Sequence, residues 1–294
     1  MDLKRFIQNN NLSMAEAAQL LNVDKSQIVK ICSHTYPNWN IKEDDFISKL
    51  KQLGYTDIVA QGIRIDTNVL ILTNSVSNFQ SLADDLLDPD GTLSSSIGMA
   101  IGTAERGKTH TAKWYVQDNP NAAYVLYVDG STKVQLLRDI CEVVAHTRPY
   151  SFGACISTLE ETCKYNRRLV IIDEADKLPV AHLEMLRGIN ERCNLPFLLV
   201  GEEGLKVKTD RVPRLRSRIR KPIVLFEPAI AVDVAAYYHE AAGIDIDRKT
   251  AERLLRHAQG GFRSIVNDSI ALSKMSRASA LDTITDNMLN SLSA

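Results

Sequence analysis

The sequence predicts an α/β fold, in which a parallel β-sheet with helices on both faces follows a small helical module and precedes a helical lid. Between about residues 93 and 226, short apolar runs alternate with helical patterns, which is typical of a parallel sheet. Before residue 57 and after residue 227 the sequence shows helical periodicity alone. We therefore expect four regions: a helical module at 1–57, a linker and entry to the core at 58–92, the core at 93–226 and the lid at 227–294.

The composition limits the class of protein. A chain of 294 residues that is 45% hydrophobic and 24% charged can bury a full α/β core and one or two small modules. Its net charge of −1 gives no overall attraction to nucleic acid or membrane, so any basic surface must be local. Five scattered cysteines without a CxxC pair argue against a disulfide framework or a zinc ribbon, and no apolar run approaches the ~18 residues that span a bilayer. We expect a cytoplasmic protein with no membrane partner.

The first region, residues 1–57, has the patterns of short helices. Ser13 is expected to cap a helix that starts at Met14, because a serine hydroxyl accepts the free N–H groups of a first turn. Two more helical patterns follow, in DKSQIVKICSH and EDDFISKLKQLG. Five residues have the spacing of a helix-turn-helix motif: Ala18, Asn22, Val23, Ile28 and Ile31. Asn22 replaces the usual turn glycine, because asparagine tolerates a left-handed backbone.

The apolar members of this motif are expected in the core, so a DNA contact would come from the exposed start of the second helix. The residues that would face the groove are Lys25, Ser26, Gln27 and Lys30. Acidic and basic residues balance at seven each over 1–57, which is a poor charge for a module that binds DNA by itself. A helical module that docks onto a protein remains the alternative.

In the core region, strands are expected near residues 97–101, 122–129, 169–173 and 196–201, with helices between them. The stretch DLLDPDGTLSSS, which contains Pro89 and Gly91, is expected to form a loop that leads into the first strand. After Glu227 we expect four helical segments, the last near 281–291. The order predicts a sheet-based core followed by a lid.

The segment GTAERGKT, Gly102 to Thr109, stands between the first strand and the next helix. It fits the phosphate-binding loop pattern G-x-x-x-x-G-K-[ST] at every fixed position. Glycines allow the backbone to curl until its N–H groups point at phosphate oxygens, and the helix N-terminus adds a favourable dipole. Lys108 would bridge the β- and γ-phosphates as a catalytic residue, and the Thr109 hydroxyl would bind Mg²⁺. The expected ATP-binding residues are Gly102, Thr103, Ala104, Glu105, Arg106, Gly107, Lys108, Thr109 and His110.

A second motif, LVIIDEAD, is a buried strand that ends in carboxylates. Ligands bind at the carboxyl ends of the strands in open α/β sheets. Asp173 is therefore expected to hold the Mg²⁺ ion, and Glu174 to polarise the attacking water as the catalytic base. Asp176 is expected to cap the following helix.

Together with the helical lid, these two motifs resemble those of the AAA+ ATPases. Within that group, the layout of the chain is similar to the transposition ATPases of the phage Mu transposition protein B type. The similarity extends to RLRSRIRKPIVL after the fourth core strand and to GGFRSIVNDSIALS in the lid. It implies a P-loop AAA+ core with ATP and Mg²⁺ as cofactors, in a bacterial or phage-encoded protein of the host cytoplasm.

The resemblance also assigns roles to individual residues. Arg263, in the lid segment GGFR, looks like the sensor-2 arginine that reaches the γ-phosphate. Arg214 and Arg218 fall where the family places arginine fingers, which act in a neighbour's active site, and either could be the finger. Where the family has a neutral sensor-1 residue, this chain has Glu202 followed by Glu203, and a carboxylate there would repel phosphate. We therefore expect slow ATP hydrolysis that DNA, oligomerisation or a partner stimulates.

Two segments are candidates for DNA contact. Residues 204–222 carry eight lysines and arginines against a single acid, a density that suits DNA phosphates and predicts salt-sensitive binding. Arginines at an ATP interface, or a solvated surface, are the alternatives there. Thr132 and Lys133 start a helix in the region that faces duplex DNA in related filament-forming ATPases, although an ordinary helix cap would also explain them. The expected DNA contacts outside the N-terminal module are Thr132, Lys133, Lys206, Lys208 and Arg216.

The function that the resemblance implies is an ATP-dependent DNA-binding ATPase. It would form a homo-oligomer or helical filament on double-stranded DNA, select a transposition target and stimulate a DDE-type transposase. The alternatives are an AAA+ helicase loader and a nucleotide-switched regulator that reads an operator. Filaments on duplex DNA would favour the first function, a ring around a helicase the second, and a footprint on one short sequence the third.

Overall fold

The computed structural model describes residues 2–10, 12–55, 62–88, 97–279 and 281–292. The chain divides into two compact units. One consists of Met1–Ile63 and Leu272–Met288, and the other of Arg64–Ala271 and Leu289–Ala294. Pro89, Gly91 and the rest of the predicted loop beyond residue 88 lie outside the described residues, as do residues 58–61 of the expected linker.

The N-terminal part of the first unit contains four helices: α1 (Leu3–Asn9), α2 (Met14–Leu20), α3 (Lys25–Cys32) and α4 (Trp39–Gln52). The predicted cap of α2 is confirmed, because the Ser13 hydroxyl accepts a 3.1 Å hydrogen bond from the Glu16 N–H and the Glu16 carboxylate accepts one of 2.7 Å from the Ser13 N–H. Asn22 has φ +53°, the left-handed conformation predicted for the turn. The expected apolar positions Ala18, Ile28 and Ile31 are buried in this unit's core.

The second unit is built on a five-stranded parallel sheet. Its strands are β1 (Ile97–Ile101), β2 (Ala122–Leu126), β3 (Leu169–Asp173), β4 (Phe197–Gly201) and β5 (Val224–Leu225), in the order β2-β3-β4-β1-β5. Every residue of β1, β3 and β4 is buried, which explains the continuous apolar runs in the sequence. The predicted parallel sheet is confirmed.

One strand is shorter than predicted. β2 ends at Leu126 instead of residue 129, because its partner β3 ends opposite it at Asp173. Tyr127 still donates its N–H to the Asp173 carbonyl at 3.0 Å, but Val128 is already 63% exposed. Residues 128–132 therefore form a loop above the carboxyl end of the sheet, and we call them the β2–α7 loop because they lead into helix α7 (Lys133–Ala145).

Helices cover both faces of the sheet. On one face lie α5 (Asn74–Leu87) and α6 (Lys108–Asp118), which pack on Leu169, Ile171 and their neighbours. On the other face lie α7 (Lys133–Ala145), α8 (Phe152–Cys163) and α9 (Val180–Cys193), which pack on Val170, Ile172 and their neighbours. Alternate residues of one strand therefore face opposite layers. A short 3₁₀ turn, Ala175–Lys177, links β3 to α9.

Helix α5 was not predicted from the sequence, which indicated a linker in this region. Thr73 caps α5 by accepting a hydrogen bond from the Val76 N–H. The helix buries Phe79, Leu82, Ala83 and Leu86 of one apolar face against the sheet, and Val76 in its first turn is also buried. This spacing is helical, so the signal was present in the sequence.

After β4 come two short helices, α10 (Gly204–Asp210) and α11 (Pro213–Arg216), and after β5 helices alone follow among the described residues, as predicted. These are α12 (Ala231–Ala242), α13 (Arg248–Ala258), α14 (Phe262–Ser279) and α15 (Asp286–Leu292). None of the helices in the described part of the chain has the length and apolar character that a membrane crossing requires.

Candidate functional site

The loop between β1 and α6 has the backbone that a phosphate cradle requires. A side chain on Gly102 would place its Cβ 2.7 Å from the Phe226 carbonyl oxygen, so only glycine fits there. Gly107 has φ +86° and is the residue before the first turn of α6. Glu105 also adopts a left-handed conformation, with φ +65°. The loop therefore curls around the N-terminus of α6, where free N–H groups and the helix dipole favour an anion.

The predicted phosphate-binding lysine points back over this loop. Lys108 Nζ donates hydrogen bonds to the carbonyl oxygens of Gly102 at 2.7 Å and Thr103 at 2.6 Å. Burial lowers the pKa of Lys108, and nearby carboxylates, with Glu202 first among them, act in the opposite direction. The ammonium is therefore already placed at the mouth of the cradle, among acidic side chains.

The carboxylates at the end of β3 lie beside the cradle. Asp173 is buried, and its two carboxylate oxygens accept hydrogen bonds of 2.8 Å from the Tyr124 hydroxyl and 2.9 Å from the Glu174 N–H. Burial is the main cause that raises the pKa of Tyr124, and the Asp173 charge adds to it. Glu174 has φ +58°, and its carboxylate pairs with the Lys177 ammonium at 2.8 Å.

These residues fit a magnesium–nucleotide complex. Thr109 and Asp173 offer one hydroxyl and one oriented carboxylate, and the described residues contain no group of three or more His, Cys, Asp or Glu side chains placed to hold a metal. Mg²⁺ is usually held by one or two carboxylates together with phosphates and waters, and not by an all-protein cage. The donor set is therefore the one expected when a nucleotide supplies the remaining ligands.

The structure corrects the role predicted for Asp176. This residue does not cap the following helix, because it lies in the 3₁₀ turn and α9 starts after Pro179. Its Oδ1 instead accepts a 3.0 Å hydrogen bond from the Glu202 N–H at the end of β4. A Cβ on Gly201 would lie 2.5 Å from that oxygen, so this glycine is required for the contact. Asp176 therefore joins the ends of two neighbouring strands.

Two residues of the cradle contact the start of helix α14, a connection that sequence analysis missed. The Glu105 carbonyl accepts a 2.7 Å hydrogen bond from the Phe262 N–H, and its carboxylate accepts one of 2.9 Å from the Ser264 hydroxyl. Arg106 donates to the Gly260 carbonyl. Glu105 and Arg106 occupy variable positions of the phosphate-binding loop pattern, so their residue types did not indicate this contact. The cradle is thus hydrogen-bonded to the lid segment that contains Arg263.

Many of these groups line one cavity of about 470 Å³. Its phosphate end contains the cradle, Asp173, Glu174, Glu202 and Arg263. Its other end is formed by Tyr237 and by six residues that sequence analysis did not single out for this role: Thr67, Val69, Leu70, Ile71, Thr73 and Val76. His110 also lines it; burial lowers the pKa of His110, while a hydrogen bond with the Val69 backbone opposes that change. This half-apolar, half-polar shape suits a nucleotide, with its base at the apolar end.

The two finger candidates differ in their surroundings. Arg218 Nη2 lies 2.9 Å from Glu191 Oε1, and the same glutamate also pairs with Arg187. Arg214, in α11, is exposed and has no side-chain partner among the described residues. Which of the two acts as a finger stays a prediction.

The predicted DNA contacts also differ in how they are held. The Thr132 hydroxyl caps α7 by accepting a hydrogen bond from the Gln135 N–H, and Lys133 beside it is exposed. Lys208 donates to the carbonyl oxygens of Asp176 at 2.5 Å and Leu178 at 2.6 Å. Its ammonium therefore has a structural role that the sequence did not reveal.

The remaining predicted DNA contacts lie on the surface. Lys206 pairs with Asp210 at 3.1 Å, and Arg216 is exposed. In the first unit, Lys25 and Lys30 are exposed on α3, while the Gln27 amide contacts the Tyr36 hydroxyl at 3.2 Å. Contact with DNA stays a prediction for all of these residues.

Comparison with known proteins agrees with this geometry. Residues 92–207 match the AAA domain family. The chain is 30% identical over 192 residues to the ATP-dependent target DNA activator B of Escherichia phage Mu, covering 62% of this chain and 61% of that protein. It is 27% identical over 135 residues to the Mu-like prophage FluMu DNA transposition protein B of Haemophilus influenzae, covering 43% of this chain and 44% of that one. The chain thus spans less than two thirds of the length of these relatives.

Solved structures share the fold. Cdc6p from Pyrobaculum aerophilum superposes with a TM-score of 0.60 over 79% of this chain and 71% of that chain, at 12% identity. The Aeropyrum pernix ORC1 protein, in complex with DNA, gives 0.57 over 78% and 66%, at 16% identity. The predicted AAA+ fold and the resemblance to relatives of Mu transposition protein B are therefore confirmed.

Proposed function

We propose that this protein is an ATPase that binds double-stranded DNA in an ATP-dependent way, assembles on it as a homo-oligomer, and acts in the choice of a transposition target together with a transposase. The observation that carries the ATPase part is that a phosphate cradle, an oriented Asp173, Glu174 and Arg263 line one cavity. Each of these groups has a separate task in phosphoryl transfer, and together they supply what the hydrolysis of ATP requires.

The side chains of the cavity divide the work of ATP hydrolysis among them. The loop amides and Lys108 bind the phosphates, while Thr109 and Asp173 hold Mg²⁺, which when bound neutralises phosphate charge. Glu174 orients and polarises the attacking water. Arg263 contacts the γ-phosphate, and Arg214 or Arg218 of a neighbouring copy completes the site.

Hydrolysis by the isolated chain is expected to be slow. The Glu202 carboxylate acts on Lys108 through its charge, so it faces the same region as the phosphates. A negative group there competes with the phosphates for Lys108 and repels the γ-phosphate. In addition, the monomer lacks an arginine finger from a second copy. Such an arginine raises the rate of hydrolysis by roughly 10³-fold or more.

The DNA and transposition parts rest on different support. The two relatives are named as an activator of target DNA and as a DNA transposition protein. In this chain, Lys133 and Arg216 are exposed cations with no side-chain partner among the described residues, so phosphates can reach them. A protein of net charge −1 that binds DNA must do so through such local patches.

The test is DNA binding with and without nucleotide. We expect the purified protein with a slowly hydrolysed ATP analogue to bind duplexes of unrelated sequence, to lose affinity steeply with salt, and to form filaments visible by electron microscopy. ADP should weaken binding. Binding that is independent of nucleotide, or confined to one short sequence, would contradict the proposal and favour a regulator.

A further inference from the structure

A buried histidine is hydrogen-bonded to the loop that precedes the predicted DNA contact Lys133. His182 lies in the first turn of α9 and is 8% exposed. Its Nε2 atom lies 3.0 Å from the carbonyl oxygen of Ser131, in the β2–α7 loop and 51 residues away along the chain. A carbonyl oxygen can only accept a hydrogen bond, so Nε2 carries a proton and donates it. This hydrogen bond ties the loop to a helix of the core.

The surroundings of the His182 ring are otherwise apolar or aromatic. The Tyr127 ring packs edge-on against it, with the ring centroids 6.1 Å apart. The Nδ1 atom of His182 is buried and has no hydrogen-bond partner among the residues that the structure describes. A buried polar atom without a partner lowers stability, and an apolar side chain of similar size would avoid that loss. The hydrogen bond to Ser131 is therefore what a histidine offers here and an apolar residue does not.

The β2–α7 loop is a turn that buries little of its own surface. The Ser131 N–H donates a 3.1 Å hydrogen bond to the Val128 carbonyl, which closes the turn, and Gly130 has φ +84°, a conformation that favours glycine. Val128, Asp129 and Gly130 are exposed. Because a segment with few buried contacts opens easily, the direction of this turn depends on how its ends are held.

Both ends of the turn are hydrogen-bonded to the core. At its start, the Tyr127 N–H donates to the Asp173 carbonyl at 3.0 Å, next to the last paired residues of β2 and β3. At its end, His182 donates to the Ser131 carbonyl. The first buried residue of α7 is Leu136, so packing does not hold the three residues at the start of this helix. The hydrogen bond from His182 acts immediately before that start.

We propose that His182 is a positioning residue for DNA binding: by donating to the Ser131 carbonyl, it holds the β2–α7 loop in the arrangement in which Thr132 and Lys133 contact the phosphates of duplex DNA. This inference rests on the proposed function and adds a residue that serves its DNA-binding step. His182 does not itself touch DNA, because it is buried. A loop that is ordered before binding loses less conformational freedom on binding, so breaking this hydrogen bond lowers affinity without removing a contact.

The alternative is a histidine that only completes the core. Its replacement would then lower stability and leave the DNA affinity of the folded protein unchanged. The chain offers a matched control on the same helix. Asn190 of α9 is also buried, and its amide donates a 2.8 Å hydrogen bond to the Leu195 carbonyl, in the segment that leads to β4. Replacing Asn190 thus removes the same kind of hydrogen bond at a place that carries no predicted DNA contact.

The test measures the affinity of the full chain for a labelled duplex at a saturating concentration of a slowly hydrolysed ATP analogue. We expect His182→Leu to weaken DNA binding by about 5-fold, the size of one lost hydrogen bond. His182→Gln should keep an affinity close to that of wild type, because the glutamine amide can donate to the same carbonyl. Asn190→Leu should bind DNA as wild type does, and every variant should bind the ATP analogue equally.

A further variant covers the case in which His182→Leu does not fold. In His182→Asn the side chain stays polar, but its shorter amide does not reach the Ser131 carbonyl. We expect His182→Asn to lose DNA affinity as His182→Leu does, in contrast to His182→Gln.

Two further readouts separate positioning from direct contact. His182→Leu should keep the wild-type slope of log affinity against log salt, because the phosphate contacts remain, whereas Lys133→Met should lower that slope by about one contact. Without DNA, the backbone amides of residues 128–133 should exchange hydrogen faster in His182→Leu than in wild type.

The outcomes distinguish this inference from the function on which it rests. Wild-type DNA affinity in a folded His182→Leu or His182→Asn protein, or an equal loss in Asn190→Leu, would overturn the positioning role and leave the proposed function standing. A wild-type protein that binds the ATP analogue but no duplex DNA would overturn the proposed DNA-binding function, and the role of His182 with it.

Discussion

The hydroxyl of Tyr124, on β2, donates a 2.8 Å hydrogen bond to Oδ2 of Asp173, at the end of the neighbouring strand β3. The strand register pairs Tyr124 with Ile171, so the tyrosine ring reaches two residues along β3 to meet the carboxylate. The Glu174 N–H binds the other oxygen. Asp173 is thus oriented from two sides, so Tyr124 would act as a positioning residue for the proposed Mg²⁺ site.

Removing this hydroxyl should weaken the metal site. For Tyr124→Phe we expect the Mg²⁺ concentration for half-maximal nucleotide binding to rise by about 10-fold, because partners of metal ligands typically have effects of that size. Stability should fall by about 1 kcal/mol. The measurement is a Mg²⁺ titration with a fluorescent ATP analogue.

Tyr127 provides the matched control for that titration. Its ring is also buried, but its hydroxyl has no hydrogen-bond partner among the described residues. Tyr127→Phe should therefore leave the Mg²⁺ requirement unchanged. Equal Mg²⁺ curves for wild type and Tyr124→Phe would show that Tyr124 does not orient the metal ligand.

The contact between the cradle and the lid should depend on Ser264. Ser264→Ala removes the 2.9 Å hydrogen bond to the Glu105 carboxylate, so the start of α14 should open more often. We expect faster hydrogen exchange of backbone amides near residues 262–268 and faster ADP release. Ser33→Ala is the control, since that hydroxyl bonds only within its own turn. Unchanged hydrogen exchange near the start of α14 would show that the hydrogen bond between Ser264 and Glu105 does not hold the lid to the cradle.

The lid should also respond to pH through His257. Its hydrogen bond with Asp268, 2.7 Å from Nδ1 to Oδ2, holds the pKa of His257 above its ordinary value, against the effect of burial. The folded state thus binds this proton more tightly, so the stabilisation is complete below the ordinary histidine pKa and is lost as pH rises through the folded value. His257→Gln should therefore lower Tm more at about pH 5.5 than at about pH 8.5.

The comparison for this pH series is His239→Gln, because the pair of His239 with Asp245 is largely exposed and screened by solvent. Thermal unfolding of wild type and both variants across that range provides the measurement. A destabilisation by His257→Gln that is the same at both pH values would show that the charged pair does not form.

Replacing the proposed catalytic base, Glu174, should separate ATP binding from ATP hydrolysis. Glu174→Gln keeps the size of the side chain but cannot take up a proton, so we expect ATP binding to persist, hydrolysis to stop and the protein–DNA complex to become long-lived. The measurement is the dissociation rate from a labelled duplex after ATP addition. Glu161→Gln, at an exposed position on α8, should behave as wild type. Loss of DNA binding in Glu174→Gln would contradict its assignment as the base.

Much of this fold could be predicted because its signals are local. A buried parallel strand such as β3 is a continuous apolar run, and the cradle from Gly102 to Thr109 needs fixed residue types at fixed spacing. Asn22 could be predicted for the same reason, since a turn in the left-handed region admits few residue types.

The rest depends on contacts between residues that are distant in sequence. Tyr124 is an ordinary strand residue until the register places it beside Asp173. Aspartate often caps helices, so the sequence alone suggests that role for Asp176. Only the position of β4 shows that Asp176 binds the Glu202 N–H instead. The side of the cavity lined by residues from 67–76 corresponds to no sequence motif. A surface that contacts a nucleotide base needs a suitable shape, which several residue types can provide.

Binding of ATP phosphates by the loop before α6 can be measured by equilibrium titration of a fluorescent ATP analogue into wild type and Lys108→Ala. Lys108 would make charged hydrogen bonds to two phosphates, so its loss should cost about 3 kcal/mol, or roughly 100-fold in affinity. We predict saturable, Mg²⁺-dependent binding by wild type and a loss of that size in Lys108→Ala. Lys49→Met, which changes an exposed lysine of the first unit, should bind as wild type. Absence of binding by wild type, or equal affinity in Lys108→Ala, would contradict phosphate binding by this loop.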